Sequence, residues 1–195
     1  MAFPDRLRLP MTFRPERLRA DLEALAAVDW TAHFVRQNYE GNWSALPLRS
    51  PAGETHPIRM INPDPAATHF VDTALLDATP YFRSVIETFA CPVRVARLMR
   101  LTPGSVIKEH SDPDLDAEAG VARIHVPITT NPDVEFKVNG APVAMAPGET
   151  WYLRLSDPHT VANRGQTDRI HLVIDMEVDA WLKDVMRQAQ AMVTA

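Results

Sequence analysis

Val134-Glu135-Phe136-Lys137-Val138, Asn139-Gly140, Ala141-Pro142-Val143-Ala144-Met145 is the stretch from which the fold can be read. Alternation of period two puts Val134, Phe136 and Val138 on one face of a strand. Asn-Gly supplies the positive φ angles of a type I′ turn, so these residues predict a β-hairpin. Downstream, Ala146-Pro147-Gly148-Glu149 is a second turn signal leading into a strand at Thr150–Leu155, and Arg169–Asp175 is another strand. Upstream, the strand period begins at Val93. Helical spacing flanks this block: Leu18, Leu22 and Leu25 within Pro15–Ala27, then a run to Phe89 that opens on Thr79-Pro80 as cap and first-turn proline, and Trp181, Leu182, Val185, Met186 and Ala189 after Asp179. Residues 41–70 read as loops with short extended pieces. The expectation is one domain over 1–195 that is mainly β with flanking helices: a mostly helical and loop flank (1–92), an antiparallel barrel or jelly roll (93–176) and a C-terminal helix (177–195).

The composition removes several function classes. A chain of 195 residues buries a core without staples, and its single cysteine, Cys91, sits in an apolar setting that makes it a packed thiol. A net charge of −5 without a basic stripe argues against nucleic acid as a partner. No apolar run reaches the ~20 residues of a membrane span, and the amino terminus has no signal-peptide core, so the expectation is a cytoplasmic protein without a membrane partner. On that view Asn42-Trp43-Ser44 is a chance sequon.

Four of the seven histidines lie between residues 110 and 171. His110-Ser111-Asp112 can offer an imidazole and a carboxylate from one extended segment, and His159 lies beyond the hairpin, where a rolled sheet can return it to them. Two histidines and one carboxylate leave open positions on an octahedral metal, the arrangement of non-haem Fe(II) oxygenases. Arg169, ten residues after His159, has the planar permanent charge that the far carboxylate of a diacid such as 2-oxoglutarate requires. Arg123-Ile124-His125 and Arg169-Ile170-His171 repeat one pattern, with Arg and His on one face and the aliphatic residues on the other. An EF-hand beginning at Asp112 is excluded, since its sixth position is Ala117 and its twelfth Arg123.

These blocks, together with Arg97-Leu98-Met99-Arg100-Leu101-Thr102-Pro103-Gly104, Pro147-Gly148-Glu149-Thr150-Trp151-Tyr152 and Pro158-His159, resemble the aspartyl/asparaginyl β-hydroxylase family of Fe(II)/2-oxoglutarate dioxygenases, which includes bacterial proline cis-4-hydroxylases. The resemblance runs from about residue 93 to 182. It implies a double-stranded β-helix of jelly-roll or cupin-like form, with iron at His110, Asp112 and His159. It further implies 2-oxoglutarate on Arg169 with His125 near its metal-binding end, O2 as oxidant, and Arg123 facing substrate or co-substrate. Asp112 stands where the animal members of the family have glycine, and the helical repeat domain of those enzymes is absent. Gly41-Asn42-Trp43 resembles a segment at the active-site mouth, which makes Trp43 a candidate substrate contact. The implied reaction is hydroxylation of a C–H bond in an amino acid or an Asp/Asn-type residue of a small peptide, with release of succinate and CO2; Arg123, with Arg97 or Arg100, would suit a carboxylate-bearing substrate. The competing reading is a cupin-like metal-dependent isomerase or ligand-sensing barrel, against which Arg169 discriminates.

Overall fold

A computed structural model describes residues 3–193. Two antiparallel sheets face each other. The larger has the order β1 (Arg6–Thr12), β11 (Glu149–Leu153), β8 (Val121–Thr129), β13 (Arg169–Glu177), β6 (Val93–Leu101), β4 (Trp43–Pro51), β2 (Thr31–Ala32), with β5 (Phe70–Asp72) also on β4. The smaller runs β10 (Ala141–Pro142), β9 (Val134–Val138), β12 (His159–Asn163), β7 (Val106–His110), β3 (Tyr39–Glu40). This is the double-stranded β-helix expected, mainly β with helices outside it.

The larger sheet is buried on both faces, and the period of two assigns each face its chemistry. Ala122, Ile124, Val126 and Ile128 of β8, and Ile170, Leu172, Ile174 and Met176 of β13, pack in one cluster with the helices. These helices are α1 (Pro15–Ala24), α3 (Ala74–Asp77), α4 (Pro80–Glu87) and α5 (Ala180–Val193), and the cluster takes Leu18, Leu76, Phe82, Val85, Leu182 and Met186 from them, while α2 (Pro57–Ile61) buries Ile61 in the second cluster. The opposite parity of the same strands turns Arg123, His125, Arg169, His171 and Asp175 inward, and on β6 Arg97, between Ala96 and Leu98 of the cluster, joins them; all are buried except the partly buried Arg123.

The hairpin forms at the expected place. Asn139 (φ 51°) and Gly140 (φ 72°) make its turn, although the returning strand keeps ladder geometry only at Ala141–Pro142. Cys91 is half-buried with Sγ 3.4 Å from Met176 Sδ, and burial pushes its thiol up to about 12, as suits a packed thiol. Among the described residues no helix is long and apolar enough to cross a membrane.

Two expectations are corrected. Residues 1–92 are not only a helical and loop flank: β1 pairs with β11, and the nine-residue β4 pairs with β6 inside the larger sheet. Prolines hid both strands. Pro10 falls in the register shift between Leu9 and Thr12 on an edge strand, and Pro47 falls at the shift between Pro47 and Arg49, so neither breaks the ladder. Nor does Thr79 cap α4 with its hydroxyl, which donates to Leu75 O instead. The free N–H groups of Tyr81 and Phe82 donate to the Asp21 carboxylate of α1 (2.7 and 2.8 Å), so one helix caps another.

Candidate metal centre and its anion chamber

His110 ends β7 and His159 begins β12, and the two are register partners in the smaller sheet, with ring centroids 4.2 Å apart. Asp112 follows β7 in a turn held by its N–H donating to Leu155 O at 2.8 Å. One ligand atom from each of His110, Asp112 and His159 can be chosen so that all lie within 4.8 Å of one another. Backbone carbonyls set the histidine tautomers: Lys108 O lies 2.8 Å from His110 Nδ1 and Asp157 O 3.1 Å from His159 Nδ1. A carbonyl only accepts, so each Nδ1 carries the proton and each Nε2 keeps its lone pair for a metal. Burial lowers the pKa of His159, which favours the neutral ring that ligation needs. This donor set fits Fe(II).

Inward from this triad lies the second feature. Arg169 is 2% exposed, and among the described residues no carboxylate lies within ion-pair distance of it. Its Nη2 donates to His171 Nδ1 at 2.9 Å, its Nε has no partner, and its guanidinium stands 5.6 Å from the Phe136 ring centroid. Burial pulls its pKa down to about 9. Beside it His125 is 4% exposed with neither ring nitrogen bonded, and burial, then the nearby arginines, holds it well below the usual histidine range. An unpaired cation and the one N–H of a neutral His125, both without a carboxylate or carbonyl to serve, form a seat for an anion, and the residues fit the far end of a diacid chelated at the triad. The chamber measures about 30 Å³, so a five-carbon diacid reaches Arg169 only with a shift of lining side chains.

Arg123 lines both the chamber and the outer cavity, with its donors taken up by two carboxylates. Its Nε and Nη2 donate to both oxygens of Asp175 (2.7 and 2.9 Å), directly opposite in register, and its Nη1 donates to Asp112 Oδ2 at 3.2 Å. It borders the cavity, but its donors hold the metal-side carboxylate. Arg97 Nη2 donates to the same Asp175 at 2.9 Å, while its Nη1 has no partner. Burial would raise the Asp175 carboxyl, but Arg123 and Arg97 pull it well below the carboxylate range. Arg100 leaves the site: it has the opposite parity, lies 4.4 Å over Trp30 and donates to Ser44. Asp175 was missed as a site residue, although it shares parity with Arg169 and His171.

Trp43 stands between the chamber and an outer cavity and lines both. It is 7% exposed, its centroid is 6.4 Å from that of His110, and its Nε1 has no partner. Its ring stacks on His33 at 3.5 Å and meets Tyr39 edge-on at 5.7 Å. His33 carried no motif in the sequence. The outer cavity has a volume of about 570 Å³ and is lined by Asp112, Arg97 and Arg123 together with residues of the segments around His33 and Pro63.

Comparison with known proteins agrees with this geometry. The chain is 29% identical over 184 residues to an L-proline cis-4-hydroxylase of Rhizobium meliloti (strain 1021), covering 93% of this chain and 64% of that protein. It is 25% identical over 166 residues to L-proline cis-3-hydroxylase 2 of a Streptomyces species, covering 84% of this chain and 57% of that one. It thus spans about three fifths of the length of these curated relatives. Among solved structures, an oxidoreductase of the 2OG-Fe(II) oxygenase family from Burkholderia pseudomallei superposes with TM-score 0.52 at 17% identity, over 90% of this chain and 86% of that one. A Pseudomonas putida prolyl-4-hydroxylase does so with TM-score 0.51 at 11% identity, over 90% and 94%. At such identities the structures speak for the fold alone. The sequence pattern of the aspartyl/asparaginyl beta-hydroxylases matches residues 13–178, and the chain belongs to that family.

Proposed function

We propose that the protein is an Fe(II)- and 2-oxoglutarate-dependent dioxygenase that hydroxylates a C–H bond of an amino acid or of an amino-acid residue in a small peptide. The observation that carries this reading is a buried arginine with no carboxylate partner, Arg169, set behind three convergent metal-capable side chains. In this reading His110, Asp112 and His159 hold the iron and Arg169 holds the far carboxylate of 2-oxoglutarate. Iron with 2-oxoglutarate and O2 supplies the oxidising power, and succinate and CO2 are released. The chain itself does the rest. Arg123 fixes the Asp112 carboxylate through its Nη1, and the carbonyls of Lys108 and Asp157 hold the two imidazoles in the ligating tautomer. The buried setting of Arg169, His125 and His171 lowers the polarity around the anion seat, which strengthens its electrostatics. Membership of a family with proline hydroxylases among its members supports an amino-acid substrate.

The test is an anaerobic titration of the purified protein with Fe(II) and 2-oxoglutarate, following the visible charge-transfer band of bidentate chelation. We expect the band in the wild type and its loss in His159→Ala. Iron binding without a band in the wild type would instead point to a cupin-like isomerase or a ligand sensor.

A further inference from the structure

Arg169 meets a histidine where a buried arginine ordinarily meets a carboxylate. Two residues apart on β13, Arg169 and His171 project from the same face of the strand, and each is 2% exposed. Arginine only donates, so the 2.9 Å contact from its Nη2 makes His171 Nδ1 the acceptor and puts the ring proton on Nε2. Burial, then the charge of Arg169, holds His171 well below the usual histidine range, so the ring is neutral. Burial takes Arg169 down only to about 9, so at neutral pH the cation persists. Arg169 lines the chamber beside the metal site and His171 does not, so the imidazole stands behind the guanidinium rather than against a ligand. Strand pairing sets His171 opposite Met99 of β6 and Pro127 of β8, and its ring meets that of His125 edge-on, with centroids 5.6 Å apart.

The partner decides how much charge reaches the chamber. A carboxylate would orient the guanidinium and also offset its charge, which is what Asp175 offers Arg97 and Arg123 on the same face of the sheet. A neutral ring nitrogen orients without offsetting. It takes one N–H of the fork and leaves the others, the orphaned Nε among them, to an incoming anion.

We propose that His171 is a positioning residue of the anion seat: its neutral hydrogen bond fixes the Arg169 guanidinium with the positive charge undiminished, at one depth, so that the seat selects a dicarboxylate of one chain length. The inference rests on the dioxygenase reading for the identity of that dicarboxylate, 2-oxoglutarate, though not for the electrostatics of the pair. His171→Asn and His171→Asp separate orientation from charge. The two replacements share size and shape and both offer an oxygen where Nδ1 stands, so they leave the same gap in the packing and differ by one charge. Affinities for 2-oxoglutarate and for 2-oxoadipate, one methylene longer, are measured on the anaerobic Fe(II) protein by the visible charge-transfer band. The denaturation midpoint of each variant is measured without iron.

His171→Asn is expected to keep 2-oxoglutarate affinity within about threefold of wild type, while His171→Asp lowers it by about thirtyfold or more, because the new carboxylate occupies the charge the co-substrate needs. His171→Leu has neither acceptor nor charge and frees the guanidinium, so the preference for 2-oxoglutarate over 2-oxoadipate should shrink by about fivefold. Without iron, the midpoint of His171→Asp should lie above that of His171→Asn, since the carboxylate pairs a buried cation that the amide leaves unpaired. A histidine that only fills space predicts equal affinities in His171→Asn and His171→Asp, and that result overturns the proposal, as does an unchanged chain-length preference in His171→Leu. The iron-free midpoints keep the two readings apart: a wild type that binds iron without the band, in company with the expected order of midpoints, removes the oxygenase reading and leaves the neutral pairing of Arg169 supported. Midpoints in the reverse order overturn the pairing itself.

Discussion

Arg123 and Arg169 sit on neighbouring strands of one sheet and point to the same inner face, the first partly and the second fully buried, yet their surroundings are opposite. Arg123 spends its donors on Asp175 and Asp112, while Arg169 has a histidine nitrogen and an orphaned Nε. A buried charge left unpaired is a standing cost, so a fold that keeps one in a structural role would pair it. The contrast separates an arginine that holds the protein together from one set to hold something else.

The contrast can be broken most sharply at Asp175. Asp175→Ala strands two buried guanidinium groups and should cost about 3–5 kcal/mol of stability, seen as a large fall in the denaturation midpoint. Arg169→Met should do the reverse. It removes an unpaired buried cation, so stability is held or raised, while apparent affinity for 2-oxoglutarate falls by about 100-fold, on the order of 3 kcal/mol for a charge-assisted contact. A destabilised Arg169→Met with unchanged 2-oxoglutarate affinity would erase the distinction.

The pH dependence sharpens it further. Arg169 titrates at about 9 in the folded protein and at its ordinary, higher value when unfolded, so between the two the unfolded chain binds more protons. Below about 9 both states are charged and the wild type bears the full burial cost; as pH rises through 9 that cost is shed. The stability advantage of Arg169→Met over wild type should therefore narrow above pH 9, as measured by paired chemical denaturation.

Arg123→Lys keeps the charge but loses the fork that spans Asp175 and Asp112, and iron affinity should fall by about tenfold. The smallest effect belongs to a region outside the barrel. Asp21→Ala removes the cap of α4 and should cost about 1 kcal/mol of stability with iron and 2-oxoglutarate binding unchanged.

Legibility followed locality. The Asn139-Gly140 turn, the His110–Asp112 spacing and the aliphatic parity of β8 and β13 are short-range signals and could be read directly. What escaped depended on partners distant in sequence. β4 looked like loop because Pro47 forbids a ladder bond, and only its register with β6 shows the proline at an irregularity. The cap on α4 comes from 60 residues away, which no local pattern encodes. The pairing of Arg123 was not foreseen because its partner Asp175 is set opposite by strand pairing 52 residues apart. The choice left open between Arg97 and Arg100 was decidable in part: three apart along a strand, they face opposite ways, so only one of them can border the cavity. The 570 Å³ of the outer cavity is a sum over loops from several segments, and nothing in the chain's periodicity measures it.

The pairing of His110 with His159 across β7 and β12 has a bearing on how the protein lives outside catalysis. An ion gripping both rings would act as a reversible staple across some fifty intervening residues, restraining the expanded chain as a disulfide does. Iron supply would then set the lifetime of the protein in the cell: starved of metal, the smaller sheet opens more often and offers its strands to proteases, while the eight-stranded sheet, anchored by its helices, stays shut.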